Sequence, residues 1–312
     1  MFDSVETDDR RWAAVAARDP SADGEFYCCV RTTKVYCRPS CAGRPRRENV
    51  FFVRTRAEAE AAGMRACKRC RPDRLAAGPL SDRIAMIDWD ETVRSLDAEG
   101  FAPLGRVLSD EECERLRGSF DDSALFRSTV VMGRHGFGMG EYRYFADPLP
   151  ETVGLLRKAL YSRLAPVASS WRRKLGGAGD YPADHDAYRA RCAAAGQTRP
   201  TPLLLSYVPG DYNRLHRDLY GTETFPIQVA ILLSEPLKDF EGGEFVLTEQ
   251  RPRMQSRVHV VPLQKGDAVA FAVNERPVNG AKGVYRAAMR HGVSTIRRGR
   301  RMTLGVIFHD AP

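Results

Sequence analysis

Two groups of residues have the types and spacing of metal sites, and they lie in different parts of the chain. Cys37 and Cys41 are followed, with 25 residues between, by Cys67 and Cys70. This C-x3-C…C-x2-C set can close a tetrahedral Zn2+ site of four thiolates, and two close pairs do so with little loss of chain entropy. Further on, His216-Arg217-Asp218 is followed by His291 and, ten residues later, by Arg301. Two imidazoles and one carboxylate are the donor set of a facial triad for Fe2+, which leaves three positions open. A guanidinium at Arg301 can bind a carboxylate in bidentate fashion. The chemistry expected is Fe2+ activating O2 with 2-oxoglutarate as cosubstrate, the distal carboxylate of which sits on Arg301.

To bring these residues together, His216 and Asp218 are expected on one face of a strand, because residues two apart point the same way. His291 is expected on a later strand and Arg301 at the start of the last one. From residue 201 onward, short β-branched and apolar runs alternate with Gly, Pro and Asp turns: Leu203 to Val208, Ile227 to Leu233, Glu244 to Leu247, Val258 to Val261, Ala268 to Val273 and Met302 to Phe308. Such spacing predicts antiparallel strands in a jelly roll. Between about 82 and 200 the apolar spacing is mostly helical, clearest at Ile84 to Leu96 and Thr152 to Leu164. Ala76-Ala77-Gly78-Pro79-Leu80-Ser81-Asp82 reads as a linker with a Gly-Pro breaker and a helix cap.

The expected class is therefore α+β: a small four-cysteine zinc domain over 1–76, a linker over 77–82, and a double-stranded β-helix (jelly-roll) domain over 83–312. Supporting helices fill 83–200 of the latter and the jelly-roll core 201–312. A length of 312 residues suits two domains, and 43% hydrophobic with 28% charged residues suits a globular chain. No run approaches the roughly 18 apolar residues of a membrane span, and the N-terminus is acidic, so a cytoplasmic protein with no membrane association is expected. In that compartment eight cysteines are ligands or core residues rather than disulfides. Cys28, Cys29, Cys113 and Cys192 are expected to be small buried hydrophobes. Residues 31 to 74 carry 13 Lys/Arg against 4 Asp/Glu, a basic block suited to a polyanion such as DNA.

The residues around the cysteines resemble the N-terminal domain of the Ada family of methyl-phosphotriester repair proteins. The match runs through Arg11-Trp12, Arg18-Asp19-Pro20, Ala22 to Phe26, Val30 to Thr33, Val35 to Cys41, Arg47 to Val50 and Cys67 to Cys70. The resemblance implies that Cys37 is both a zinc ligand and the nucleophile that takes a methyl group irreversibly from an alkylated DNA phosphate. Arg31, Lys34, Arg38, Arg44, Arg46, Arg47, Lys68, Arg69 and Arg71 would then contact phosphates. The chain departs from longer family members: no AraC-like helix-turn-helix and no Pro-Cys-His-Arg motif is evident.

Residues 203 to 312 carry a second resemblance. Tyr207-Val208-Pro209-Gly210, nine residues before His216, is similar to the stretch of AlkB dealkylases whose tyrosine binds 2-oxoglutarate. Gly242-Gly243-Glu244-Phe245 and the ten-residue His to Arg interval are closer to the prolyl-hydroxylase branch. The whole segment resembles a bacterial oxygenase family described as acting on damaged nucleic acid. The expectation is a repair protein for DNA alkylation damage that removes methyl groups from phosphotriesters through Cys37 and dealkylates bases oxidatively. The alternative keeps the zinc domain as a damage sensor and makes the oxygenase a protein hydroxylase of prolyl type. No obligate protein partner is evident. Gly133 to Gly140, with Tyr142, Tyr144 and Phe145, reads as a hairpin loop beside the core, or else as a lid offering stacking surfaces.

Overall fold

The computed structural model describes residues 3–19, 22, 26–53, 56–70, 72, 80–281 and 283–312. Contacts divide the chain into two compact units, Met1–Pro79 and Leu80–Pro312. Residues 77–79 of the expected linker, and Arg71, lie outside the described residues. Leu80 already begins a helix. None of the described helices is long and apolar enough to cross a membrane.

The first unit comprises α1 (Asp3–Ala17), β1 (Tyr27–Val30), β2 (Val35–Cys37), β3 (Val50–Val53), α2 (Arg56–Ala61) and β4 (Arg65–Ala66). Its sheet has the order β3-β1-β2-β4. Strand alternation splits the apolar residues between the two faces. Cys28 joins Val15, Phe26 and Val50 on one face, and Cys29 joins Tyr36, Ala59 and Met64 on the other. A core this small stabilises a fold only marginally, which gives a metal cluster a structural part to play.

The second unit opens with α3 (Leu80–Ala85), α4 (Trp89–Glu99), β5 (Phe101–Arg106), α5 (Asp110–Gly118), β6 (Phe126–Val131), β7 (Gly138–Met139), β8 (Glu141–Phe145), α6 (Glu151–Lys174) and α7 (His185–Ala194). Then come β9 (Leu203–Tyr207), β10 (Tyr212–His216), β11 (Ile227–Leu232), β12 (Phe240–Gly242), β13 (Phe245–Gln250), β14 (Arg257–Val261), β15 (Asp267–Ala272), β16 (Glu275–Gly280), β17 (Gly283–Val293), β18 (Ile296–Gly299) and β19 (Arg301–Val306). A seven-stranded sheet, β5-β15-β11-β19-β9-β8-β6, faces a six-stranded one, β14-β13-β17-β10-β7 with β16 paired to β17. Residues from both sheets, among them Tyr207, Ala230, Leu232, Phe245, Leu247 and Phe271, form one core cluster. The outer face of the larger sheet packs on α6 through Val229, Ile231, Leu304, Leu160 and Leu164. Strand β11 is therefore buried along its whole length, as a strand covered on both faces must be.

Two expectations need correction. Residues 83–200 are not only helical support: β5, β6 and β8 belong to the larger sheet and β7 to the smaller. Ile84 to Leu96 is not one helix either. It breaks after Ala85, and Asp88 restarts it by accepting a hydrogen bond from the Glu91 N–H at 2.9 Å.

Candidate metal centres

In the first unit, β2 ends on Cys37, and Cys41 lies four residues on. The β4 strand, parallel to β2, delivers Cys67 through a hydrogen bond from its N–H to the Tyr36 carbonyl. The Sγ atoms of Cys37, Cys41, Cys67 and Cys70 all lie within 4.8 Å of one another. Backbone N–H groups of Arg38 and Gly43 point at the sulfurs of Cys70 and Cys41, each at 3.4 Å. Four thiols so close cannot all ionise by themselves. A hydrogen bond with Cys70, then burial and the neighbouring sulfurs, pushes the Cys37 thiol far up, while the same bond lowers Cys70 to about 6. A divalent cation relieves this crowding, and an all-thiolate set suits zinc.

An open groove of about 650 Å3 runs beside the sulfurs, lined by Cys37, Cys41, Cys67, Arg44, Arg46, Lys68 and Arg69. Thr32, Thr33, Asn49 and Arg65 also line it; the first three lie in the stretches matched to the Ada family, and Arg65 lies outside them. Arg31 and Arg47 do not line it. Arg31 covers Phe51 at 4.7 Å and Arg47 covers Phe52 at 5.5 Å, and both donate to the Val50 carbonyl. Lys34 is exposed at the β1–β2 turn with φ of 52°. Arg38 is half-buried.

In the second unit, His216 ends β10 and His291 lies near the end of β17, and the two are register partners. Asp218 falls beyond the end of β10, so the expected single strand face for His216 and Asp218 is not formed. The loop after the strand carries the carboxylate back. Asp218 Oδ2 is 3.3 Å from His291 Nε2, and Oδ1 is 3.6 Å from His216 Nε2. The three donors lie within 4.8 Å of one another. His216 Nδ1 is 2.7 Å from the Arg214 carbonyl, which turns its other nitrogen inward.

Burial opposes ionisation of Asp218, yet the hydrogen bond from His291, the two imidazoles and the Gln228 amide hold its carboxyl well below the usual range. Burial, then His291, lowers His216. An ionised carboxylate is the form of Asp218 that a divalent cation requires. Sequence spacing gave no sign of the residues that fix this carboxylate. Tyr220 donates to Asp218 Oδ1 at 3.0 Å, and Tyr144 donates to Tyr220 at 2.8 Å.

These donors open into a cavity of about 200 Å3, mostly apolar, walled by Tyr142, Tyr144, Tyr220, Phe245 and Phe271, with Phe137 at its edge. Arg301 closes the inner end. It is the register partner of Tyr207, and its guanidinium lies 5.8 Å from that ring. Gly243, at φ of 65°, makes room for it, since a Cβ there would stand 2.7 Å from Arg301 Cδ. Gly140 does the same for Tyr207 at 2.8 Å. Arg301 donates to Thr303 Oγ1 at 2.6 Å, but its Nε has no partner. Among the described residues no carboxylate lies within ion-pair distance of it. Burial, only partly offset by Tyr207 and Glu244, lowers it to about 10, and a buried guanidinium without an ion-pair partner calls for an anion. A dicarboxylate reaching from the triad to Arg301 fits. Arg297, Arg298 and Arg300 turn instead to Glu244, Glu241 and Ser206.

The stretch read as a hairpin loop or a lid joins the antiparallel pair β6 and β8 through a short turn over Met132–Arg134 and the strand β7, bonded to β10 through Gly138↔Asn213. Phe145 takes no part in it: it is buried in the outer core and stacks on Phe126 at 4.9 Å.

Fold and site together define a jelly-roll oxygenase preceded by a four-cysteine metal domain. The family described as "Oxygenase, catalysing oxidative methylation of damaged DNA" matches residues 140–311, and the metal binding domain of Ada matches residues 10–73. The chain belongs to that oxygenase family. An uncharacterized protein of Mycobacterium tuberculosis (strain H37Rv) is 46% identical over 188 residues, 59% of this chain and 81% of the relative. The bifunctional transcriptional activator/DNA repair enzyme Ada of Escherichia coli is 58% identical over 72 residues, 23% of this chain but only 20% of Ada. The solved DNA methyl phosphotriester repair domain of that Ada is 59% identical, covering 23% of this chain and 77% of the domain, with a TM-score of 0.20.

Proposed function

We propose that the protein repairs DNA alkylation damage at two centres, with Cys37 accepting methyl groups from backbone phosphotriesters and the second unit dealkylating bases with Fe2+, 2-oxoglutarate and O2. The observation that carries the oxidative half is the buried Arg301, its Nε without a hydrogen-bond partner, lining the cavity that holds His216, Asp218 and His291.

At the first centre, Cys37, Cys41, Cys67 and Cys70 would hold Zn2+. The metal keeps sulfur deprotonated at neutral pH, with a formal charge of about −2 over the cluster. The Cys37 thiolate attacks the methyl carbon of a phosphotriester; the S–C bond forms, the C–O bond breaks, and a phosphodiester anion leaves. A neutral triester can approach this charge, whereas an ordinary phosphate is repelled. Arg44, Arg46, Lys68 and Arg69 along the groove would hold the flanking phosphates. After transfer the cluster charge drops to about −1, so DNA is held more tightly.

At the second centre, bound iron with 2-oxoglutarate and O2 supplies an oxidant strong enough to hydroxylate a C–H bond, and a hydroxylated N-methyl group leaves as formaldehyde. The chain's own residues do the rest. Arg301 and Tyr207 anchor the cosubstrate carboxylate, and Tyr220 and Gln228 fix the angle of Asp218. Phe245 and Phe271 shield His291, the latter with ring centroids 4.8 Å apart. A damaged base must leave the helix stack, or lie in a single strand, to enter such a cavity. One centre needs reduced thiols and the other Fe2+, both of which a reducing compartment such as the cytoplasm maintains.

The test is anaerobic loading with Fe2+, then O2 and 2-oxoglutarate with methylated single-stranded DNA or its unmethylated control. Formaldehyde with the methylated strand alone supports the reading. Succinate at the uncoupled background with both strands overturns it and makes peptides the next substrates to try.

A further inference from the structure

Cys28 is a fifth thiol at the four-cysteine centre, and neither the cluster nor methyl transfer uses it. In the β1–β2 ladder it is the register partner of Cys37. Directly opposite residues of an antiparallel pair project to the same face, with Cα atoms about 4.5–5.5 Å apart. That spacing falls within the roughly 4.4–6.8 Å that a disulfide spans. Packing agrees, since Cys37 lies against the cluster of buried residues that contains Cys28, whereas Cys29 sits on the opposite face. Cys28 is 1% exposed, while Cys37 is half-buried and lines the groove. A small oxidant arriving from solvent thus meets Cys37 first, with Cys28 behind it.

We infer that Cys28 is a resolving thiol: when a peroxide oxidises Cys37, Cys28 closes a cross-strand disulfide with it. The Cys37 thiolate attacks one oxygen of the peroxide. The S–O bond forms, the O–O bond breaks, and for hydrogen peroxide the released hydroxide takes up a proton to become water. The sulfur is now a sulfenic acid. The Cys28 sulfur then attacks it; the S–S bond forms, the S–O bond breaks, and the hydroxyl leaves with the Cys28 proton as a second water. Two thiols have lost two electrons, and one peroxide has become two waters.

The disulfide has two consequences. It halts Cys37 before the sulfinic acid, which is not reduced by thiols, and so keeps the acceptor recoverable. It also removes one thiolate from the cluster, the same change of charge, from about −2 to −1, that methylation causes. The domain would then respond to peroxide as it does to alkylated DNA.

This rests on Cys37 being the methyl acceptor, which is measured separately on the unoxidised chain, so failure of that reading and failure of this one are distinguishable. The experiment exposes the zinc-loaded full chain to graded hydrogen peroxide, traps free thiols, and maps disulfides by tandem mass spectrometry in a Cys29→Ala background. The expected result is loss of two hydrogens per chain, a Cys28–Cys37 cross-link, parallel loss of methyl acceptance, and recovery of both with dithiothreitol. In Cys28→Val, Cys37 should instead collect oxygen atoms and lose acceptance permanently. Cross-links confined to Cys37, Cys41, Cys67 and Cys70 would overturn the proposal, as would equally reversible inactivation of Cys28→Val. The mapping on the Cys28-containing chain decides the matter even if that variant does not fold.

Discussion

His216 and His291 stand opposite each other in the β10–β17 ladder, with imidazole centroids 4.1 Å apart. Two of the three donors proposed for iron are thus set by strand register, and only Asp218 is supplied from a loop. Removing either histidine leaves a pair that cannot complete a facial set. His291→Ala should abolish Fe2+ binding and 2-oxoglutarate turnover, while methyl acceptance by Cys37 persists. Iron content by elemental analysis and succinate release check this.

The converse holds at the other centre. Cys37→Ser should end methyl transfer from a methyl-phosphotriester oligonucleotide and leave 2-oxoglutarate turnover intact. Loss of both activities would break the division into two independent centres.

Tyr220 donates its hydroxyl to Asp218 Oδ1 and accepts that of Tyr144, so it positions the carboxylate rather than reacting. Tyr220→Phe should weaken Fe2+ affinity by about 10-fold, within the range for outer-shell partners, and Tyr144→Phe less. Isothermal titration with Fe2+ under argon, together with the EPR spectrum of the nitrosyl adduct, separates this from a general loss of fold.

Arg301→Lys keeps the charge but loses the planar fork. The KM for 2-oxoglutarate should rise about 10- to 100-fold, with a smaller change in kcat, because one geometry of carboxylate binding is lost while the triad is untouched.

Stability should fall in mild acid. His185 is buried against Tyr161 and Phe308, with Nε2 3.0 Å from the Phe308 carbonyl, and burial followed by the charge of Arg157 lowers it from 6.5 to about 4. Between those values the unfolded chain binds a proton that the folded chain refuses, so stability drops as pH falls through that window and is fully present above it. His309, also lowered to about 4 by burial, adds to the same slope. The melting temperature measured from pH 7 to 5 should decline, and less steeply in His185→Gln.

Both ligand sets and Arg301 could be read from spacing because metal and carboxylate chemistry restrict which residue types serve. The residues that hold them in place were not legible. Tyr220 and Gln228 are ordinary in local pattern and meet Asp218 only through the fold. The β5 strand was hidden for another reason. Its Pro103 and Gly105 read as turn signals, and they are tolerated because β5 is the outer strand of its sheet, paired only to β15. In β6 and β8 the aromatic and β-branched residues did carry a strand signal, which helical spacing on either side obscured. Asp218 shows the limit of periodicity in the other direction. A period of two predicts a shared face only while the strand lasts, and β10 ends at His216.

The shortness of β10 has a final consequence. It is five residues long, meets β17 with a register shift between Asn213 and His216, and is bounded on its other side by the two-residue β7. A metal ion held by His216 and His291 would act as a cross-strand rivet, so loading should slow local opening of this margin more than that of the buried larger sheet. In amide exchange, the backbone of 212–216 would then report occupancy of the centre directly, and an empty protein would be frayed first at the site where its chemistry takes place.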